Sequence, residues 1–286
     1  MEIEYTIKNI QKKIDLWRKS GLSIGFVPTM GYLHAGHISL IKKAKQQNHK
    51  VIVSIFVNPA QFGKGEDLDT YPRDIEKDRQ LISDVGADVI FNPDIKELYP
   101  DYPDMGAIKI NISHVSDYLC GAKRPGHFDG VCLVLAKLFN IVQADRAYFG
   151  EKDYQQLIVV KKLVQDLNIP IEIIGCPIVR DETGLALSSR NSYLTSEEKI
   201  IATVLNKSLL FAKNMVDQGT TDSNQIIKNI TDKINSEPNT KIDYVQIVCP
   251  DKLIPLGTIV DKGVIALAVF VGKTRLIDNI FVQKGD

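Results

Sequence analysis

The sequence has no net charge: 35 Lys and Arg offset 35 Asp and Glu over 286 residues. Without a basic excess there is no global field to draw the chain to nucleic acid or to an anionic membrane, although a local basic pocket is compatible with that balance. Cysteine is scarce. Cys120, Cys132, Cys176 and Cys249 lie far apart, with no C-x-x-C pair and no dense framework. They read as reduced, mostly buried thiols of a cytoplasmic protein. The opening residues, MEIEYTIKNI, lack the basic and apolar regions of a signal peptide. The most apolar run, Val264 to Val271 (VIALAVFV), is too short to span a bilayer. Internal repeats and low-complexity segments are missing too. What remains is an ordinary globular composition, 44% hydrophobic and 24% charged, at a length that suggests about two domains.

The first half alternates between apolar runs of strand length and segments of helical periodicity. Ser23 to Val27, Lys50 to Val57, Asp88 to Phe91, Asp145 to Phe149 and Ile171 to Cys176 read as strands. Gly36 to Gln47, Arg73 to Val85, Phe128 to Val142 and Tyr154 to Leu167 read as helices. Trp17 falls on an amphipathic first helix and reads as packing. Strands that are apolar throughout, separated by helices, predict a parallel sheet covered on both faces. The expected fold is a Rossmann-like, doubly wound α/β domain over 1–176, followed by a smaller C-terminal α+β domain over 177–286. The second part begins with a small, polar stretch at 181–195 (DETGLALSSRNSYLT), of the kind a mobile loop carries. Helices are expected near 196–218 and 222–235, the first opened by a Thr195/Glu198 capping box. Ile242 to Val248, Val264 to Val271 and Arg275 to Val282 are then expected to form an antiparallel sheet.

Chemistry concentrates in FVPTMGYLHAGH, from residue 26. A strand ending near Val27 hands over to a helix starting near Gly36. Ligands of open α/β sheets bind outside the carboxyl ends of strands. A helix start there offers unpaired N–H groups and a positive dipole end, which suit an anion. Gly36 lacks a Cβ, so a flat ligand can approach the backbone. His34 and His37, three apart, can face one side and donate to phosphate oxygens. Two blander readings stand beside this one: satisfied loop histidines, or half of a metal site. Zinc would require further ligands, and no Cys or carboxylate stands at helical spacing beside the pair.

H-x-G-H after a strand resembles the nucleotidyltransferase superfamily. Further stretches sharpen the likeness: FVNPAQF (56–62), RPGHFDGV (124–131), GEKDYQQ (150–156) and LSSRN (187–191). With PTMGYLHAGH they stand in the order and spacing of the pantoate–β-alanine ligase family, over nearly the whole chain. That resemblance implies an ATP-dependent ligase that joins pantoate to β-alanine through a pantoyl adenylate, releasing AMP and pyrophosphate. It makes 1–176 the nucleotide- and pantoate-binding domain and 177–286 a lid. A cytoplasmic homodimer follows as an expectation, with ATP as substrate, Mg²⁺ as its counter-ion, and neither nucleic acid nor membrane as a partner.

The resemblance also implies roles for residues. His37, His34 and Lys152 would be catalytic. Met30, Gly31, Tyr32, Leu33, His34, Ala35, Gly36 and His37 would contact ATP, as would Gly150, Glu151, Lys152 and Asp153. Val179, Leu187, Ser188, Ser189 and Arg190 would complete the nucleotide contacts. For Asp153, a ribose hydroxyl and a helix cap both remain open. Gln61, Gln156, Pro28, Thr29 and Asn58 would hold pantoate and β-alanine. A neutral amide can orient a carboxylate without the strong ion pair that would blunt its attack. Leu187 stands where the family usually has methionine. Arg124 and His127 would lie at the pocket's edge, near β-alanine or at a dimer contact, with a solvated charge as the alternative for Arg124. No protein ligand for Mg²⁺ is assigned. Two rivals remain: another nucleotidyltransferase on the same fold, and a non-catalytic nucleotide-binding regulator. The intact histidines, lysine and glutamines weigh against the second.

Overall fold

A computed structural model describes residues 1–284. In chain order the elements are β1 (Glu2–Glu4), α1 (Ile7–Lys19), β2 (Ile24–Thr29), α2 (Ala35–Gln47), β3 (Lys50–Ile55), α3 (Ile75–Asp84), β4 (Val89–Phe91), α4 (Ile95–Leu98) and α5 (Leu119–Lys123). Then come α6 (His127–Val142), β5 (Arg146–Gly150), α7 (Tyr154–Asp166), β6 (Glu172–Cys176), α8 (Ser196–Asp217), α9 (Ser223–Asn235), β7 (Thr240–Val248), β8 (Lys262–Val271) and β9 (Thr274–Gln283). The helices and strands read from periodicity are all present, with ends shifted by a residue or two. A strand that sequence patterning did not suggest, β1, pairs with β4 at the sheet edge. Two of its three residues are glutamates, so it carries no apolar run.

The first sheet is parallel throughout, in the order β1-β4-β3-β2-β5-β6. Its strands read as continuous apolar runs because both faces are covered: Ile24, Phe26, Val27, Val51, Ile52 and Val53 are all fully buried. The connection after β2 runs to β3 on one side, and the connection after β5 runs to β6 on the other. The order therefore reverses between the neighbours β2 and β5, the kind of position at whose carboxyl ends open α/β sheets bind ligands. The α/β expectation is thus realised.

The C-terminal sheet, β7-β8-β9, is antiparallel. Ile226, Ile230 and Ile234 recur at four-residue intervals on α9 and pack with Ile265, Leu267, Val269 and Val271 of the central strand. Thr195 accepts from Glu198 N, and Glu198 returns the bond to Thr195 N, which opens α8 with the expected capping box. Stretch 181–195 is ordered locally. Leu187 N donates to Val179 O, Arg180 bridges Ala186, and Ser189–Tyr193 forms a 3₁₀ turn. Arg180 places two N–H groups on the Asp278 carboxylate, at 2.6 and 2.9 Å.

The chain divides into two compact units. One comprises 1–112, 124–151 and 159–177; the other comprises 113–123, 152–158 and 178–286. A single cut at 176/177 does not anticipate the two short segments of the second unit. The reason is polar. Gln155 Nε2 donates to Val115 O and Tyr118 O, its Oε1 accepts from Gly121 N, Leu119 N donates to Gln246 Oε1, and Asn279 donates to Lys152 O.

Two substitutions test this packing. Gly130 lies in α6, where alanine ordinarily gains about 1 kcal/mol of helix propensity. A Cβ there would fall 2.0 Å from Ala60 O, however, so Gly130→Ala is expected to destabilise the first unit, by about 1–3 kcal/mol in denaturant titration. Asp278 has a side chain only 2% exposed. Arg180→Ala strands that carboxylate, and a loss of about 3–5 kcal/mol is expected in the same measurement.

Candidate functional site

Where β2 ends, the chain turns through two positive-φ residues, Gly31 (+85°) and Tyr32 (+51°). Gly31 has a second reason to be glycine, since a Cβ would lie 3.0 Å from Asp78 Oδ2. Asp78, on the inner face of α3, accepts from Tyr32 N at 2.7 Å and Leu33 N at 2.6 Å. Burial pushes its carboxyl above the usual range, and the two N–H bonds offset only part of that. Asp78 thus ties the 30–33 turn to α3. Sequence reasoning missed it, although an acid among the apolar positions Ile75 and Ile82 was a usable signal. At the start of the turn, Thr29 Oγ1 donates to Ser54 O and accepts from Gly31 N.

His34 is the N-cap of α2. Its Nδ1 accepts from Gly36 N at 3.1 Å, while its own N–H points to His37 Nδ1 at 3.4 Å. This is a capping box built from two imidazoles. A backbone N–H can only donate, so both Nδ1 atoms accept. In neutral rings the proton then sits on Nε2 of each, which makes Nε2 the donor. The ring centroids are 4.1 Å apart. Gly36 has a local reason for lacking a Cβ: one built there would lie 2.8 Å from the His34 ring. The space at Gly36 therefore admits the cap itself.

In the same unit, the 3₁₀ turn Pro59–Gln61 follows β3. Tyr99, 1% exposed, has its phenol pushed up by burial, so it stays a donor, and it bonds Asn58 Oδ1 at 2.9 Å. Asn58 Nδ2 in turn donates to Gln61 Oε1 at 3.0 Å and to Gly130 O at 3.1 Å. Gln61 Oε1 thus accepts within the protein, and its Nε2 lies 3.1 Å from Met30 Sδ. The orientation leaves the amide's donor end as the distinctive feature of Gln61. Neither Tyr99 nor this chain of bonds was legible from the sequence.

The first turn of α6 closes on that segment. His127 Nδ1 lies 2.8 Å from Gln61 O, and Arg124 Nη1 lies 3.0 Å from His127 Nε2. Arg124 also forks onto Glu66, at 2.7 and 2.6 Å. Burial raises the Glu66 carboxyl, but the Arg124 hydrogen bonds and charge outweigh it and bring the pKa to about 2. Arg124 is therefore a paired guanidinium, not a solvated loop charge.

The remaining residues belong to the second unit, apart from Gly150, the last residue of β5, and Glu151, which follows it. Glu151–Asp153 forms a 3₁₀ turn into α7. Lys152 Nζ lies 3.8 Å from Asp153 Oδ2, and its side chain is mostly buried. Gln156 is half-buried on the first turn of α7, while its neighbour Gln155 is the buried structural amide. Ser188 caps the 189–193 turn by accepting from Arg190 N, and Ser189 is buried. Val179 and Leu187 are joined through their backbones, as described above. Among the described residues, no three His, Cys, Asp or Glu side chains are grouped to hold a metal ion. No helix there is long and apolar enough to cross a membrane.

Comparison with known proteins bears on the chain as a whole. Residues 2–281 match the family model for pantoate-beta-alanine ligase. A pantothenate synthetase of Clostridium botulinum is 55% identical over 281 residues, 98% of each chain. One of Enterococcus faecalis is 53% identical over 279 residues, again 98% of each. The crystal structure of pantothenate synthetase from Thermus thermophilus matches with a TM-score of 0.90 at 42% identity, covering 98% of this chain and 99% of that one. Pantoate-beta-alanine ligase from Francisella tularensis, complexed with beta-gamma ATP and beta-alanine, matches at 0.80 and 40%, covering 98% and 97%. Matched along its length in sequence and in fold, the chain belongs to the pantoate–β-alanine ligase family.

Proposed function

We propose that the protein performs its family's ATP-dependent condensation in two steps. The pantoate carboxylate attacks the α-phosphorus of ATP, pyrophosphate leaves, and a pantoyl adenylate forms. The β-alanine amine then attacks the acyl carbon, giving pantothenate and AMP. The observation that carries this reading is the pair of imidazoles at the mouth of α2, with both Nδ1 atoms committed to the backbone. Two Nε2–H donors at a helix start, beside the point where strand order reverses, suit the oxygens of a triphosphate.

Roles follow from chemistry and from the family likeness. His37 and His34 donate to the phosphates, with His37 serving the departing pyrophosphate. Lys152 adds a compact positive charge, and Ser188, Ser189 and Arg190 contribute hydroxyl and guanidinium donors. Residues 30–36, Gly150, Glu151, Asp153, Val179 and Leu187 contact the nucleotide. Gln61, Gln156, Asn58, Pro28 and Thr29 hold pantoate and β-alanine. Gln61 is supported by its orientation, since an amide whose oxygen is held by Asn58 presents N–H to a carboxylate or hydroxyl. Little covalent chemistry falls to the protein; rate comes from positioning and from stabilising charge on phosphate. The groups assigned to the phosphates, His34, His37, Lys152, Ser188, Ser189 and Arg190, are cationic or neutral, which fits Mg²⁺ arriving on the nucleotide's own oxygens and supplying counter-charge there. A homodimer in the cytoplasm completes the proposal, on the family likeness alone.

Removing one charge-stabilising donor typically costs about 10²–10³ in rate. His37→Ala and Lys152→Ala are each expected to lower pantoate-dependent pyrophosphate release by that order, with thermal unfolding little changed. The cap lost with His37 is worth only about 1 kcal/mol, too little to explain such a drop. Release within about threefold of wild type from either variant would remove that residue from the mechanism. Gln61→Ala should raise the KM for pantoate far more than that for ATP, and equal rises would count against its role.

A further inference from the structure

Gln61 is held from two sides, and the second side has no assigned role. Arg124 can only donate hydrogen bonds, so the Nε2 atom of His127, 3.0 Å from its Nη1, must accept. The ring proton of His127 is then on Nδ1. That N–H faces Gln61 O at 2.8 Å, and a carbonyl can only accept. Every hydrogen in the chain has one consistent place: guanidinium to imidazole, imidazole to carbonyl. Glu66 fixes the far end, with both carboxylate oxygens on the Arg124 fork and a further bond from Gly63 N at 3.2 Å. His127 is 9% exposed, so water competes little for these bonds. The tautomer is the opposite of that in His34 and His37.

We propose that Glu66, Arg124 and His127 form a positioning relay for the pantoate-binding amide: they pin the main chain of Gln61 while Asn58 pins its side-chain oxygen. These are positioning residues that act through Gln61. The inference rests on the reading of Gln61 as the pantoate contact. With both ends held, the amide has one orientation in which to present its N–H donors. Loosening either end by an ångström is enough to lose productive alignment of an attacking carboxylate.

The test compares replacements of His127 that differ in where they can donate. Asn Nδ2 falls near the position of imidazole Nδ1, whereas Gln reaches toward Nε2 and Leu supplies volume alone. His127→Leu and His127→Gln are expected to raise the KM for pantoate about tenfold or more, with the KM for ATP and the fold retained. His127→Asn should recover to within about threefold of wild type. Equal behaviour of Asn, Gln and Leu, or parallel rises in both KM values, would overturn the relay. A second measurement needs no variant. Nitrogen-15 NMR of the wild-type enzyme at neutral pH should show His127 protonated at Nδ1, and an Nε2–H ring would equally overturn the proposal. Should wild type show no pantoate-dependent pyrophosphate release, the functional reading falls and this inference falls with it. Normal release combined with an unchanged pantoate KM in His127→Leu would sink the relay alone.

Discussion

An α-helix begins with backbone N–H groups that have no partner inside the helix, and much of the phosphate chemistry proposed here depends on how α2 meets that requirement. Most helices use a hydroxyl or a carboxylate. Here two imidazole nitrogens take that part, one accepting from Gly36 N and the other facing His34 N. A carboxylate cap would satisfy the same N–H groups, but its negative charge would oppose a triphosphate at the same helix end. A hydroxyl cap would be neutral and would keep its O–H, but acceptor and donor would share one atom held against the backbone. An imidazole has two nitrogens: one meets the backbone, and the other carries a proton on the opposite side of the ring. Structural need and chemical use are thus divided between atoms of one side chain. Strand order supplies the location, because α2 starts beside the reversal between β2 and β5.

The polar groups around Gln61 follow a related logic with neutral partners. Tyr99, Asn58 and Gln61 pass hydrogen bonds in one direction, from a phenol raised well above its normal range to an amide oxygen. Each donor is committed, so the next group's orientation is decided. Such a chain in a buried setting specifies one arrangement, because any flipped amide would leave two oxygens or two nitrogens facing each other without water to relieve them. Asp78 does the equivalent for the 30–33 turn. It tolerates burial because two N–H groups converge on it, even though burial still wins in setting its proton affinity.

Much of the fold was legible because its signals are local. The runs at 24–29 and 50–55 and the four-residue spacing on α9 announce buried strands and a one-sided helix without reference to anything distant. His34 and His37 were legible for the same reason: three residues apart, one cap. What escaped was long-range or ambiguous. Asp78 lies 46 residues from Tyr32. Arg124 lies 58 residues from Glu66. Gln155 and Gln156 are adjacent and chemically identical, and only the helical angle between neighbours sends one to the carbonyls of 115 and 118. β1 escaped because an edge strand facing one neighbour needs no apolar run.

Gly130 shows how these levels join. Within α6, glycine is the poorer choice by about 1 kcal/mol, and local preference alone would replace it. Its hydrogen instead admits Ala60 O to a distance where no side-chain carbon fits, and that approach lets Asn58 reach Gly130 O. The same turn of α6 carries His127 to Gln61 O. One helix end thus meets the 58–61 segment by backbone contact, by amide and by imidazole, and all three would shift together if the helix were held even slightly further away. A cost of about 1 kcal/mol in helix propensity is small beside the alignment it permits, since misplacing a reacting group by an ångström can cost about 10²-fold in rate, close to 3 kcal/mol. Intrinsic helix preference yields at this position because the larger quantity lies in the geometry of the amide.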